Sequence, residues 1–134
     1  MLEFARSWYN AAMASEITGE QTPAVPETRI ATFREFWPYY VREHRLPITR
    51  ALHFVGSTLV LAIFAAALVT GRPWLLLATP VVGYGFAWVG HFGFEKNRPA
   101  TFKYPAYSFA ADWVMYGKIL SGTMRDEVER VLAK

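Results

Sequence analysis

The chain has 134 residues, one domain by length, and 53% of them are hydrophobic with a positive mean hydropathy. A soluble domain this small must keep much of its surface polar, so the composition points to a membrane. Cysteine is absent, which excludes disulfides and thiolate metal sites; any metal must be held by imidazole, carboxylate or water. The net charge of +3 is modest, and no basic groove with interleaved aromatics suggests nucleic acid.

In chain order, residues 1–28 read as a flexible leader. Glu3 and Arg6 interrupt any secretory signal, and residues 15–28 are polar and contain proline. Residues 29–134 read as a single all-α membrane domain, a helical hairpin with flanking interfacial or re-entrant helices. Ile30, Phe33, Trp37, Tyr40, Val41 and His44 fall near helical spacing, and Thr32 with Glu35 resembles a capping box. Pro38 either kinks this interfacial helix or marks its beginning. Pro47 separates it from the first span.

Two uncharged stretches follow, 51–71 and 73–94, each long enough to cross about 30 Å of hydrocarbon as a helix. Gly71-Arg72-Pro73 between them predicts a tight turn. The alternative, a soluble buried hairpin, would need more polypeptide than this chain has to cover two such helices. Arg34, Arg42, Arg45 and Arg50 precede the first span and Lys96, Arg98 and Lys103 follow the second, while the tip carries only Arg72. The positive-inside bias then places both termini in the cytoplasm. That means the inner membrane of a bacterium or the endoplasmic reticulum of a eukaryote. Asn97-Arg98-Pro99 makes a turn. Tyr104 to Tyr116, broken only by Asp112, is too short to span and reads as interfacial or re-entrant. In the tail, Met124, Val128, Val131 and Leu132 form the apolar stripe of a surface helix.

Four residues carry the chemistry: His44, His53, His91 and Glu95. An antiparallel hairpin centred on Arg72 pairs positions that sum to about 144, and His53 with His91 satisfies this. Each lies 19 residues from the tip, about 28 Å of helix, so the two share one depth. Glu95 is four residues from His91, on the same helix face. His44 folds back to that level if the chain breaks at Pro47. Three imidazoles and a carboxylate suit non-haem iron, zinc or manganese. Ionisable groups in or beside membrane spans are costly and usually functional. Asp112 reads either as an acceptor orienting a ligand histidine (or a ligand itself) or as half of an ion pair. Arg50, Lys96 and Arg98 could neutralise a substrate carboxylate or meet anionic headgroups. Gly83, Ala87, Gly90 and Gly93 make a small-residue face, suited to close helix packing or to an acyl chain.

The segments WPYYVREHRLPITRALHFVG (37–56) and GYGFAWVGHFGFEKNRPATFKYPAYSFAADWVM (83–115) resemble the membrane 2-hydroxy fatty acid dioxygenase family, typified by a fungal endoplasmic reticulum enzyme of phytosphingosine breakdown. GHFGFEKNRPA is the most specific piece, and the resemblance covers roughly residues 33–121. Thr49 and Arg50 stand where fungal members carry an asparagine, and NRPATFxYP with Asp112 is similar to a bacterial-type branch. The resemblance implies an iron(II) oxygenase that shortens 2-hydroxy fatty acids by one carbon with dioxygen, releasing carbon dioxide. It puts the metal at His44, His53, His91 and Glu95. Two other readings use the same residues: a zinc-dependent lipid hydrolase, disfavoured by the lack of a Gly-x-Ser-x-Gly motif, and a non-catalytic membrane scaffold.

Overall fold

The structure is a computed structural model that describes residues 29–134; the leader expected over 1–28 lies outside the described residues. Among the described residues every element is helical. Helix α1 (Phe33–Glu43) begins as its capping residues dictate: the Thr32 hydroxyl accepts from Glu35 N at 3.3 Å, and Glu35 accepts from Ala31 N at 3.3 Å. Pro38 sits inside this helix and does not mark its start. The chain leaves α1 at His44 and re-enters a helix at Pro47, whose missing N–H costs nothing in a first turn.

Helix α2 (Pro47–Thr70) starts four residues earlier than the uncharged stretch suggests, because Pro47 to Arg50 form its first turn. It ends at Gly71 with φ +64°, a left-handed conformation that glycine adopts without strain. The returning helix is continuous over Pro73–Glu95 but changes winding twice. A 3-10 segment (Pro73–Leu77) leads into α3 (Ala78–Trp88), which gives way to a π-helical turn (Val89–Glu95). The two long helices run antiparallel in close contact: Gly56 lies against Phe86, Val60 against Gly83, and His53 faces His91. These pairs keep the register that the Arg72 turn predicts.

Both long helices have the length and composition to cross a membrane, yet only 17% and 11% of their most apolar windows are buried inside the molecule. Core helices of a soluble protein would be enclosed. Here Leu68, Val69, Leu77 and Val81 are each more than 70% exposed.

The enclosed hydrophobic core lies elsewhere, where α1 meets α4 (Pro105–Leu120) and α5 (Met124–Leu132). Phe36, Tyr40 and Val41 from α1 pack with Ala111 and Met115 from α4 and Met124, Val128 and Val131 from α5. Leu132, expected in the same stripe, is half exposed. The Trp37 indole donates to Glu127 at 2.6 Å across this core. Helix α4 is longer than the apolar segment suggested, since Lys118 falls in its last turn. It runs along the lower part of α2, with Tyr116 stacked on Phe54.

Candidate metal centre

Three separate backbone features bring the histidines together. His44 is the residue on which α1 ends, His53 lies in the second turn of α2, and His91 sits within the π-turn. Their rings are nearly inaccessible, at 1%, 8% and 1% exposure. His44 Nε2 is 3.2 Å from His53 Nε2, which is 3.3 Å from His91 Nε2. One ligand atom from each lies within 4.8 Å of the others, and these three form the metal-capable group found among the described residues. The π-turn matters here, because it widens the helix at the point where His91 must reach inward.

Each outer ring nitrogen meets an acceptor. His44 Nδ1 lies 2.7 Å from the Tyr40 carbonyl, and His53 Nδ1 lies 3.3 Å from Asp112 Oδ1. His91 Nδ1 lies 2.8 Å from Asn97 Oδ1, and Asn97 in turn donates through Nδ2 to the Glu43 carbonyl at 3.0 Å and carboxylate at 2.7 Å. A carbonyl or carboxylate oxygen can only accept, so all three rings carry their proton on Nδ1. His44 Nε2 and His91 Nε2 then both face His53 Nε2, at 3.2 Å and 3.3 Å. A divalent cation placed among them would be within reach of all three. Burial, reinforced by the neighbouring imidazoles of His53 and His91, holds His44 well below the usual histidine range and keeps it a neutral ligand. This donor set fits a divalent metal of borderline hardness.

The Tyr40 ring stacks on His44 at 4.0 Å between centroids, and its hydroxyl donates to Asp112. Burial, and then the adjacent Asp112 carboxylate, raises the Tyr40 phenol well above its usual range, so it remains a donor. Asp112 thus touches both His53 and Tyr40.

The remaining residues singled out from the sequence go elsewhere. Glu95 is buried, but its Oε1 accepts from Leu46 N at 2.6 Å and its Oε2 lies 3.6 Å from Arg45 Nε. It is absent from the cluster of metal-capable atoms. The physical reason is competition: Leu46 opens α2, where N–H groups lack helical partners and the helix dipole favours an anion. Arg50 is spent on the α1–α2 turn, donating to the carbonyls of His44 at 2.8 Å and Arg45 at 2.6 Å. Lys96 and Arg98 are exposed on the turn after the π-segment. None of these three cations lines the cavity described next, so their expected contact with a substrate carboxylate is not provided by this geometry. Asn97 and Tyr40 are the contributors that sequence reasoning missed. Asn97 reads as a turn residue and Tyr40 as apolar helix; only their spacings of six and four residues from a histidine hint otherwise.

A cavity of about 200 Å³ begins at His44, His53 and His91 and extends between the long helices and α4. Tyr40, Ser108 and Asp112 line it beside the histidines. Val60, Thr79, Pro80, Gly83, Tyr84 and Ala87 line it towards the hairpin tip. The small-residue face divides accordingly: Gly83 and Ala87 border the cavity, whereas a Cβ on Gly90 would meet Thr49 Cγ2 at 2.9 Å, so Gly90 serves close packing.

No curated protein and no solved structure matches this chain. Residues 30–124 match the family described as 2-hydroxy-palmitic acid dioxygenase Mpo1-like, and since this is well over half of its length, the chain belongs to the Mpo1-like family.

Proposed function

We propose that this protein is an iron(II)-dependent membrane dioxygenase that shortens 2-hydroxy fatty acids by one carbon. The observation that carries the reading is the inward convergence of three Nε2 atoms, each on a ring fixed from behind. Family membership supports the substrate class, and the donor set supports the metal. The reaction balances without a further reductant. With one dioxygen, 2-hydroxypalmitate loses its carboxyl carbon as carbon dioxide, the hydroxyl-bearing carbon becomes the new carboxyl, and one water is released. The bond between the first two carbons breaks.

Iron(II) held by His44, His53 and His91 would supply the redox chemistry that lets dioxygen react at that bond. The chain's own residues do the rest. Tyr40, Asp112 and Asn97 hold the imidazoles in one tautomer and orientation, which keeps ligand basicity high. Three protein ligands leave room for substrate oxygens. The buried histidine end of the cavity would shield the polar head from water, while Val60, Pro80, Gly83 and Ala87 offer an apolar path for the acyl tail. Exposed apolar residues around both long helices support their placement in a bilayer, so that the substrate enters from lipid. Asp112 and Glu95 support the site from outside the ligand set in this reading. Arg45, Lys96 and Arg98 meet headgroups at its rim.

Purified protein supplied with iron(II) and 2-hydroxypalmitate should consume one dioxygen per pentadecanoate formed. His91→Ala should abolish turnover. Stoichiometric zinc in the active protein, with no iron-dependent oxygen uptake, would favour a hydrolase instead.

A further inference from the structure

Ser108 is 1% exposed, yet its Oγ has no hydrogen-bond partner among the described residues. It lies on the cavity wall, one helical turn from Asp112 on the same face of α4. A buried hydroxyl without a partner is unfavourable, and native proteins rarely keep one without a use. The Thr49 hydroxyl is also buried without a partner, but Thr49 packs against Gly90 and does not line the cavity. Glu95 Oε2 also lacks a hydrogen-bond partner, but it lies 3.6 Å from Arg45 Nε and Glu95 does not line the cavity, so of these three buried atoms Ser108 Oγ is the one on the cavity wall.

The neighbouring chemistry selects which group it meets. Asp112 already accepts from Tyr40 and faces the His53 N–H, so this corner has acceptors and donors that satisfy each other. The charged side chains expected to meet a carboxylate all lie outside the cavity. A fatty acid head entering here brings oxygens that need donors, and the Ser108 O–H is a fully buried, uncommitted donor on the wall beside the histidines. Above it, Phe109 and Trp113 on the same helix continue the apolar lining. We infer that Ser108 is a substrate-positioning residue whose hydroxyl donates a hydrogen bond to the carboxylate of the bound fatty acid, orienting its head towards His44, His53 and His91. This rests on the reading of the cavity as the fatty acid site.

The test uses the full chain in lipid nanodiscs, loaded with iron(II) and held without oxygen, so that binding is read apart from turnover. Three ligands are titrated: 2-hydroxypalmitate, palmitate and hexadecane-1,2-diol, which lacks the carboxylate. Ser108→Ala should bind both acids about tenfold or more weakly and the diol as wild type does, since a hydrogen bond to a charged group is lost. Its melting temperature without ligand should equal or exceed that of wild type, because an orphan hydroxyl is removed; a structural hydroxyl would shift it downward. Equal affinity of variant and wild type for the acids overturns the inference. So does a parallel loss for all three ligands, a loss confined to the 2-hydroxy acid, or a lowered melting temperature. If wild type itself binds neither acid, the reading of the cavity fails first and takes Ser108 with it.

Discussion

At the residue scale, the centre depends on what stands behind the histidines. Asn97 is the clearest instance, because its amide bridges His91 Nδ1 to Glu43 at the end of α1. Asn97→Ala removes the acceptor and should weaken metal binding about 10- to 100-fold, measured by competition with a chromophoric chelator. Glu95 gives the opposite expectation. Its carboxylate clasps Leu46 N and lies near Arg45, so Glu95→Gln, which keeps an acceptor for Leu46 N–H, should retain one metal per chain. A ligand carboxylate would not survive that change, and loss of the metal would return Glu95 to the coordination sphere. His53 and His91 are legible in the sequence because helix rise and one turn fix their depth. Glu95 is only partly legible from the same rule: sharing a face with His91 fixes its direction, but the Leu46 N–H at the start of α2 takes its Oε1, and that start is defined only once the α1–α2 turn is folded. Asn97 escapes because the π-turn, which no periodicity announces, sets how the chain leaves His91.

At the element scale, the contact between α2 and the returning helix sets the spacing of His53 and His91. A Cβ at Gly90 would lie 2.9 Å from Thr49 Cγ2 and 3.4 Å from Thr49 Cα, whereas one at Gly85 meets nothing within 4 Å. Gly90→Ala should therefore cost about 1–3 kcal/mol through overpacking and weaken metal binding, while Gly85→Ala leaves both unchanged or improves helix stability. Thermal melts with and without metal separate the two. Helix α5 is docked by a different device. Burial raises the Glu127 pKa, but the hydrogen bonds from Trp37 and Arg130 outweigh this and hold the carboxyl below the usual glutamate range. A depressed folded-state pKa contributes stability that is present above the unfolded pKa and lost as pH falls through the folded one. Stability should thus decline on acidification below the usual glutamate range, and Glu127→Gln should flatten that part of the profile in melts across pH 3–6. The elements themselves are largely legible, since caps, prolines and apolar runs announce α1, α2 and α5. The role of α1 is not: its aromatics suit an interface equally well, and only tertiary contact shows Phe36 and Tyr40 enclosed by α4 and α5.

At the scale of the whole molecule, the two long helices and the small α1–α4–α5 core divide the labour. The long helices carry exposed apolar surface, and the enclosed core sits where the chain is most charged. The histidines lie at the junction of the two. In a bilayer, the charge pattern would favour one direction of insertion. Five arginines, Arg29, Arg34, Arg42, Arg45 and Arg50, lie between residue 29 and the first turn of α2, and Lys96, Arg98, Lys103 and Lys118 follow the second long helix, against Arg72 alone at the tip. The retention of Lys and Arg on the cytoplasmic side acts most strongly within about 15–20 residues of a span, which covers all but the outermost of these. Expressed in a bacterial host, a phosphatase that works only outside the cytoplasm should be inactive when fused after Lys134 and active when inserted between Gly71 and Arg72. A cytoplasmic reporter should give the reverse pattern. Activity of the Lys134 fusion would turn the molecule over, put the metal centre on the outer face and require its substrate to arrive from that leaflet. Activity at both positions would mean that only one long helix crosses, which is incompatible with the antiparallel register that brings His53 to His91.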